Sequence, residues 1–160
     1  MKIVLARIDD RLIHGHVAAV LSKQTGCQRI IVCNDEVAND EIRKTLLIQV
    51  APPGIKASVY SIDEAVIEYK NSKYAGDKVL LLFTNPTDVL RVIEQGIDIN
   101  SVNIGGMSFQ EGKKQITNAV SVNNKDVEAF KKLNQKGIEL ELRKVASDQK
   151  QNIMPLLEKL

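Results

Sequence analysis

The chain has 160 residues, of which 44% are hydrophobic and 26% are charged, and its formal net charge is +2. This composition is typical of one globular domain and excludes a chain that is disordered throughout. The near-neutral charge and the 4% of aromatic residues, with no Trp, exclude a polybasic or base-stacking surface for nucleic acid. No apolar run approaches the roughly 20 residues of a membrane span. The apolar segment after Met1 is too short for a secretory leader, so we expect a cytoplasmic protein.

Strand patterns and helix patterns alternate along the chain. Apolar and β-branched runs predict seven strands, at residues 2–7, 28–33, 56–60, 79–83, 101–104, 119–122 and 138–142. The run at 79–83 is wholly apolar and predicts a central strand that is buried on both faces. The alternating run at 138–142 predicts an edge strand. Gly105 and Gly106 are interpreted as the turn that closes the fifth strand.

Helical spacing of apolar residues predicts the segments between the strands. The predicted helices lie around 17–21 and over 39–50, 61–71, 86–96, 125–135 and 148–160, the last interrupted near Pro155. Asn39 or Asp40 is expected as one N-cap, and Ser61 with Glu64 matches a capping box. The alternation favours a single α/β domain over residues 1–160. Its sheet is expected to be mostly parallel, with about seven strands, an antiparallel edge and helices on both faces.

The loop after the first strand holds the residues that carry chemistry. Both histidines of the chain lie in the segment Arg7-Ile8-Asp9-Asp10-Arg11-Leu12-Ile13-His14-Gly15-His16-Val17. A neutral imidazole is a nucleophile, and an arginine fork binds phosphate oxygens. A helix N-terminus adds free N–H groups, and Gly15 allows close approach of the backbone. Since an aspartate can also orient the imidazole, this segment predicts a phosphate site with a covalent acceptor.

Other interpretations of the same loop stay open. It could be a surface turn with local ion pairs, or its histidine could be a helix cap or a packing residue. A non-catalytic α/β domain could also bind an anionic ligand here without becoming modified. No glycine-rich nucleotide motif is present, and His14 and His16 have no further ligand nearby in sequence, so we expect no cofactor and no metal. The two cysteines, Cys27 and Cys33, are expected to be buried packing residues.

The loop closely resembles the active-site loop of one known family. The segment 7–17 is similar to that loop in the IIB component of the mannose/fructose/sorbose family of bacterial phosphoenolpyruvate-dependent sugar phosphotransferase systems (PTS). Further segments resemble the family's second, fourth and fifth strands with their loops, in the same order: residues 32–38, 82–89, and 102–107 followed by 112–116. One position departs from the family pattern, because His16 stands where the family usually has Gln.

The resemblance implies a phosphocarrier, a protein-phosphohistidine–sugar phosphotransferase. In this family a IIA protein or domain donates a phosphoryl group, which His14 would accept on Nδ1. His14 would then pass it to a sugar that enters through the membrane components IIC and IID. The chain would therefore lie in the cytoplasm, peripherally associated with the membrane transporter. The identity of the sugar and the formation of a homo-oligomer stay open.

The resemblance and the residue chemistry together assign roles around His14. Arg11 and Arg7 would neutralise the phosphoryl oxygens, although Arg7 could instead lie within the strand end and serve docking. Either Asp9 or Asp10 would accept a hydrogen bond from the second ring nitrogen. Thr84 would donate to the phosphate or merely start the helix at Pro86. His16 could replace the glutamine, add a cation, or have no mechanistic effect.

Overall fold

The computed structural model describes residues 1–145 and 147–160. Within these residues the strands are β1 Lys2–Asp9, β2 Arg29–Cys33, β3 Lys56–Tyr60, β4 Lys78–Phe83, β5 Ser101–Gly106, β6 Lys114–Gln115, β7 Ser121–Val122, β8 Glu139–Leu142 and β9 Gln151–Asn152. The α-helices of the same residues are α1 Gly15–Thr25, α2 Asp35–Ala38, α3 Glu41–Gln49, α4 Ile62–Tyr69, α5 Pro86–Glu94, α6 Asn124–Gln135 and α7 Met154–Glu158. A 3₁₀ helix spans Ser72–Tyr74. Within the described residues, no helix is both long and apolar enough to cross a membrane.

Seven of the strands form one sheet in the order β3-β2-β4-β1-β5-β8-β9. All neighbouring strands are parallel except β9, which runs antiparallel to β8 at one edge. The chain leaves β1 toward one edge of the sheet and leaves β5, its neighbour, toward the other edge. Ligands of open α/β sheets bind at such a switch point, outside the carboxyl ends of the strands. The sheet order therefore places the β1–α1 loop at the expected position of a site.

The core has two parts, which the sheet separates. One cluster contains Phe83, Phe130 and Leu133, and the other contains Ile30, Val32 and Leu82. The strand β4 contributes alternate side chains to both clusters, since successive residues of a strand point to opposite faces. The predicted fold class is confirmed: the sheet is mostly parallel, with seven strands, an antiparallel edge and helices on both faces.

Local signals at several helix ends are confirmed. Asp40 caps α3 by accepting a hydrogen bond from the Arg43 N–H. Ser61 and Glu64 form the expected capping box at the start of α4. Pro86 lies in the first turn of α5.

Other predicted elements were wrong in extent or place. Residues 119–122 contribute only β7, which pairs with β6 outside the main sheet. The strand β8 is not the edge, because β9 covers it, and the predicted helix 148–160 is reduced to α7. Gly105 and Gly106 belong to β5 and do not form a turn. Pairing with distant strands decides each of these cases, and a local pattern does not encode such pairing.

Candidate functional site

His14 stands at the junction between the loop and α1. It is the N-cap residue of the helix, in an extended conformation, and its side chain makes no capping hydrogen bond. The imidazole is therefore free to contact other groups, and the first N–H groups of α1 have no side-chain cap. The ring is partly exposed, with 29% of the side chain accessible. The ring of His14 is thus accessible on a backbone that the start of α1 holds in place.

The carboxylate of Asp9, which is 1% exposed, is the centre of the site. Its Oδ2 accepts hydrogen bonds from Arg7 Nη2 at 3.0 Å and from Arg11 Nη2 at 2.9 Å, while Oδ1 accepts from Arg11 Nε at 3.0 Å. The Nε2 atom of His14 lies 3.4 Å from Oδ2. This separation exceeds the usual range of roughly 2.7–3.2 Å, but catalytic hydrogen bonds often tighten only when the reactant is bound.

The charges around Asp9 favour its ionised form. Burial by itself would raise the pKa of this carboxyl group, but hydrogen bonds from Arg11 and the positive charges of Arg7 and Arg11 outweigh burial and lower the pKa. The same contact with Asp9 raises the pKa of Arg11. Asp9 is therefore a permanent hydrogen-bond acceptor at neutral pH, and it faces the Nε2 side of His14.

The loop backbone bends sharply between Asp9 and His14. The Arg11 N–H donates to Asp9 Oδ1 at 3.1 Å, and the Leu12 N–H donates to the Asp9 carbonyl at 2.9 Å. Leu12 has a φ of +61°, which is rare for a residue with a side chain, and Gly15 has a φ of +39°. The buried side chain of Leu12 holds this turn in place, because it packs in the core cluster on that face of the sheet.

Asp10 has a different role from Asp9. Its carboxylate accepts hydrogen bonds from the backbone N–H of Ser108 at 2.7 Å and from the Ser108 hydroxyl at 2.9 Å. The loop is thereby tied to the chain that follows β5. Of the two aspartates that the sequence left open as partners of His14, Asp9 is the one that contacts the ring.

Arg7 lies within β1, and its side chain is only 2% exposed. Arg11, in contrast, is 40% exposed on the other side of the same carboxylate. Of the two alternatives for Arg7, the structure therefore favours a position within the strand end, and Arg11 is the arginine that solvent can reach.

Thr84 and His16 do not belong to the hydrogen-bond network around Asp9 in the part of the chain that the structure describes. The Thr84 hydroxyl accepts hydrogen bonds from Asn34 Nδ2 and Asn85 Nδ2, both at 3.0 Å. It lines a polar cavity of about 360 Å³ that Asp10 also lines. His16 is exposed in the first turn of α1 and lines a groove between that helix and Val145. Neither residue contacts His14 among the hydrogen bonds of the described residues.

Several features of the site have no local signal in the sequence. Asn103 and Ser108 contact the loop, and the carbonyl groups of Arg143 and Lys144 reach Arg7. The glycine pair at 105–106 predicts a turn, whereas in the structure it belongs to β5 beside Arg7. Asp9 is the one acceptor of Arg7 that lies close to it in sequence, and the other acceptors come from segments about 100 or more positions away.

Cysteines and possible metal ligands were also compared with their predicted roles. Both cysteines are buried, and burial raises the pKa of the Cys33 thiol far above its ordinary value, as expected for a packing residue. Among residues 1–145 and 147–160, no three His, Cys, Asp or Glu side chains come together as metal ligands.

The chain is similar in sequence to the IIB components of sugar phosphotransferase systems. The model of the family described as "PTS system sorbose subfamily IIB component" matches residues 3–160. The chain is 60% identical to the mannose-specific EIIAB component of Escherichia coli K12, over all of this chain but only 50% of that protein. It is 54% identical to the sorbose-specific EIIB component of Klebsiella pneumoniae, over 96% of this chain and 94% of that one. The chain thus spans about half the length of the mannose-specific relatives and nearly all of the sorbose-specific one.

A solved structure shows the same architecture. The IIBSor domain of the sorbose permease from Klebsiella pneumoniae superimposes with a TM-score of 0.97 at 53% identity, covering 99% of this chain and 98% of that one. The family match and this superposition each cover nearly the whole chain. The chain therefore belongs to the sorbose subfamily of PTS IIB components.

Proposed function

We propose that His14 accepts a phosphoryl group from a phosphorylated IIA protein or domain and passes it to a sugar. The observation that carries this proposal is the contact between His14 Nε2 and the buried, ionised Asp9. A carboxylate at Nε2 favours the neutral tautomer with its proton on that nitrogen, which leaves a lone pair on Nδ1. The proposal covers residues 1–160 as one IIB domain.

The first transfer needs little more than position and charge. Nδ1 of His14 attacks the phosphorus atom of the donor phosphohistidine, the new N–P bond forms, and the donor's N–P bond breaks with its electron pair going to the donor imidazole. The phosphorylated ring of His14 then carries a positive charge with its proton on Nε2. Asp9 stabilises that charge through the same hydrogen bond that selected the tautomer.

Two sources of positive potential would hold the phosphoryl oxygens. Arg11 uses Nε and Nη2 for Asp9, and the exposed part of its guanidinium keeps donors available. The uncapped N-terminus of α1 adds backbone N–H groups and the positive end of the helix dipole. No metal ion or cofactor is needed for this arrangement to stabilise the transferring group.

In the second transfer a sugar hydroxyl attacks the phosphorus, the Nδ1–P bond breaks, and the hydroxyl proton passes to solvent. His14 returns to its neutral state and the product is a sugar phosphate. We propose that the sugar is presented by the membrane components IIC and IID, with this domain docked at their cytoplasmic side. Relatives named for mannose and for sorbose match at 60% and 54% identity, so the proposal names a sugar only as a class.

The test is the intact mass of the protein after incubation with a phosphorylated IIA protein at mildly alkaline pH. We expect one phosphate on the wild type and on His16→Ala, and none on His14→Ala. Loss of modification only in His16→Ala would move the chemistry to that residue. No modification of any form, with two unrelated IIA donors, would support the non-catalytic anion-binding domain instead.

A further inference from the structure

Arg7 is a buried cation that the phosphoryl transfer above does not use directly. Resting on the function proposed for His14, we propose that Arg7 is a positioning residue, which holds the Asp9 carboxylate in the orientation that selects the reactive form of His14. Three features of the molecule support this role, namely the acceptors around the guanidinium, the space left for it in β5, and its position behind Asp9.

The guanidinium of Arg7 is held by acceptors from three separate segments of the chain. Its Nη2 donates to Asp9 Oδ2 at 3.0 Å and to the Lys144 carbonyl at 2.9 Å. Its Nη1 donates to Asn103 Oδ1 and, at 3.3 Å, to the Arg143 carbonyl. Three of these acceptors are neutral, so Asp9 is the carboxylate that balances the charge of Arg7. Because the guanidinium of Arg7 has acceptors on opposite sides, it is held in one orientation. Its hydrogen bond to Asp9 Oδ2 then holds the carboxylate in one orientation as well.

The neighbouring strand provides a slot for this side chain. Asn103 stands directly opposite Arg7 in the parallel pairing of β1 with β5. Two residues further along β5, a Cβ atom at Gly105 would lie 2.1 Å from Arg7 Cζ and 2.7 Å from its Nε. No side chain fits at that distance, so Gly105 is required by the guanidinium of Arg7. One strand therefore supplies both an acceptor for Arg7 and the room that it occupies.

Arg7 and Arg11 both bind Asp9, but they differ in exposure and therefore in role. Arg11 is accessible and can contact phosphoryl oxygens, whereas Arg7 lies behind the carboxylate with its Nη groups occupied. Burial lowers the pKa of Arg7, and the charge of Asp9 opposes this effect. Without Arg7, Asp9 Oδ2 would lose one of its anchors, and the carboxylate could turn away from the ring of His14. His14 would then lose the acceptor that fixes its proton on Nε2, while Arg11 would remain accessible beside it.

The test combines ring ¹⁵N shifts of His14 with the kinetics of phosphoryl gain. The variants are Arg7→Met, Arg7→Lys and Gly105→Ala, and the control is Arg29→Met, which removes a partly buried arginine at the amino end of the sheet. In the wild type, we expect His14 to show a proton held on Nε2, unlike the exposed His16 of the same protein. In Arg7→Met and Gly105→Ala, the His14 shifts should approach those of His16. The maximum transfer rate should fall roughly 100-fold with the KM for the IIA donor little changed.

We expect Arg7→Lys to recover part of the transfer rate that Arg7→Met loses. We expect Arg29→Met to keep the wild-type His14 shifts and the wild-type transfer rate. Wild-type shifts and rates in a folded Arg7→Met or Gly105→Ala variant would overturn the proposal. His14 shifts in the wild type that match those of His16 would overturn it without any variant, even if a substitution prevented folding. If the wild type itself gains no phosphate, the function proposed for His14 fails, and the shifts alone still show whether Arg7 orients the ring.

Discussion

Asp9 is the residue on which the candidate site depends, because two arginines and one histidine meet at its carboxylate. Residue chemistry alone left Asp9 and Asp10 as equal candidates to orient His14. Adjacent residues of an extended strand end point in opposite directions, so only one of them can face the ring. Asp10 instead binds Ser108 and anchors the loop.

Replacing Arg11 with Lys should slow phosphoryl transfer by at least about tenfold, although the positive charge is kept. A lysine cannot donate two hydrogen bonds in a fixed fork to Asp9 and also face the phosphoryl group. The measurement is the single-turnover rate of phosphate gain from a IIA donor. The exposed Arg43→Lys on α3 is the control, and an Arg11→Lys rate equal to that of this control would contradict the role given to Arg11.

Replacing Gly15 with Ala should destabilise the protein by about 1–2 kcal/mol. The φ of +39° at this position strains any residue with a Cβ, while a Cβ atom would meet no neighbour within 4 Å. The loss is therefore one of backbone strain alone, and Gly15→Asn, which tolerates this region better, should lose less. Urea unfolding of the three proteins gives the comparison. Equal stabilities for the Gly and Ala proteins would show that the loop relaxes without cost.

At the scale of single elements, the helix ends are the features that short sequence motifs predicted best. A cap depends on residues three apart, so its signal is contained within a few positions. The strand ends were predicted less well, because a strand such as β9 exists only where a partner strand offers hydrogen bonds. Within α1, the residue at the N-cap is His14, whose ring points to Asp9 and leaves the helix end open.

The capping box of α4 provides a test that is separate from the site. Ser61→Ala removes the oxygen that accepts from the Glu64 N–H at 3.1 Å, and we expect a loss of about 1 kcal/mol in the free energy of unfolding. The control is Ser72→Ala, because Ser72 is exposed and lies outside this capping box. The rate of phosphate gain should not change in either variant. A large fall in that rate for Ser61→Ala would mean that α4 contributes to the site.

At the scale of the whole molecule, the sheet order brings the site together. The strands β1 and β5 are neighbours, yet Arg7 and Asn103 are 96 positions apart in sequence. The loop after β8 closes the same site from the other side of β5, through its carbonyl groups. Formation of the site therefore requires that these strands pair, and the acid stability of the protein should reflect the ion pairs at Asp9.

Stability should depend on pH through Asp9. Its pKa is lowered in the folded state, so its ionised form contributes stability above the ordinary value near 3.8, and this contribution is lost as the pH falls through the folded-state pKa. At pH 7 we expect Asp9→Asn to be less stable by about 3–5 kcal/mol, since it leaves the buried Arg7 without its carboxylate. Urea unfolding between pH 7 and pH 3 should show this difference shrinking below about pH 4. A constant difference over that range would contradict the assignment.

The α/β class, the buried central strand β4 and the loop in which the candidate chemistry lies can all be predicted from the order of the amino acids. These features depend on the periodicity of apolar residues and on residues close together in the chain. Tertiary structure alone decided that Asp9 faces His14, that Arg7 is buried behind it, and that Gly105 leaves room for its guanidinium. It also decided that β9 covers β8. The physical reason is that each of these contacts joins neighbouring strands or loops from distant parts of the chain, and a local pattern carries no information about which strands become neighbours.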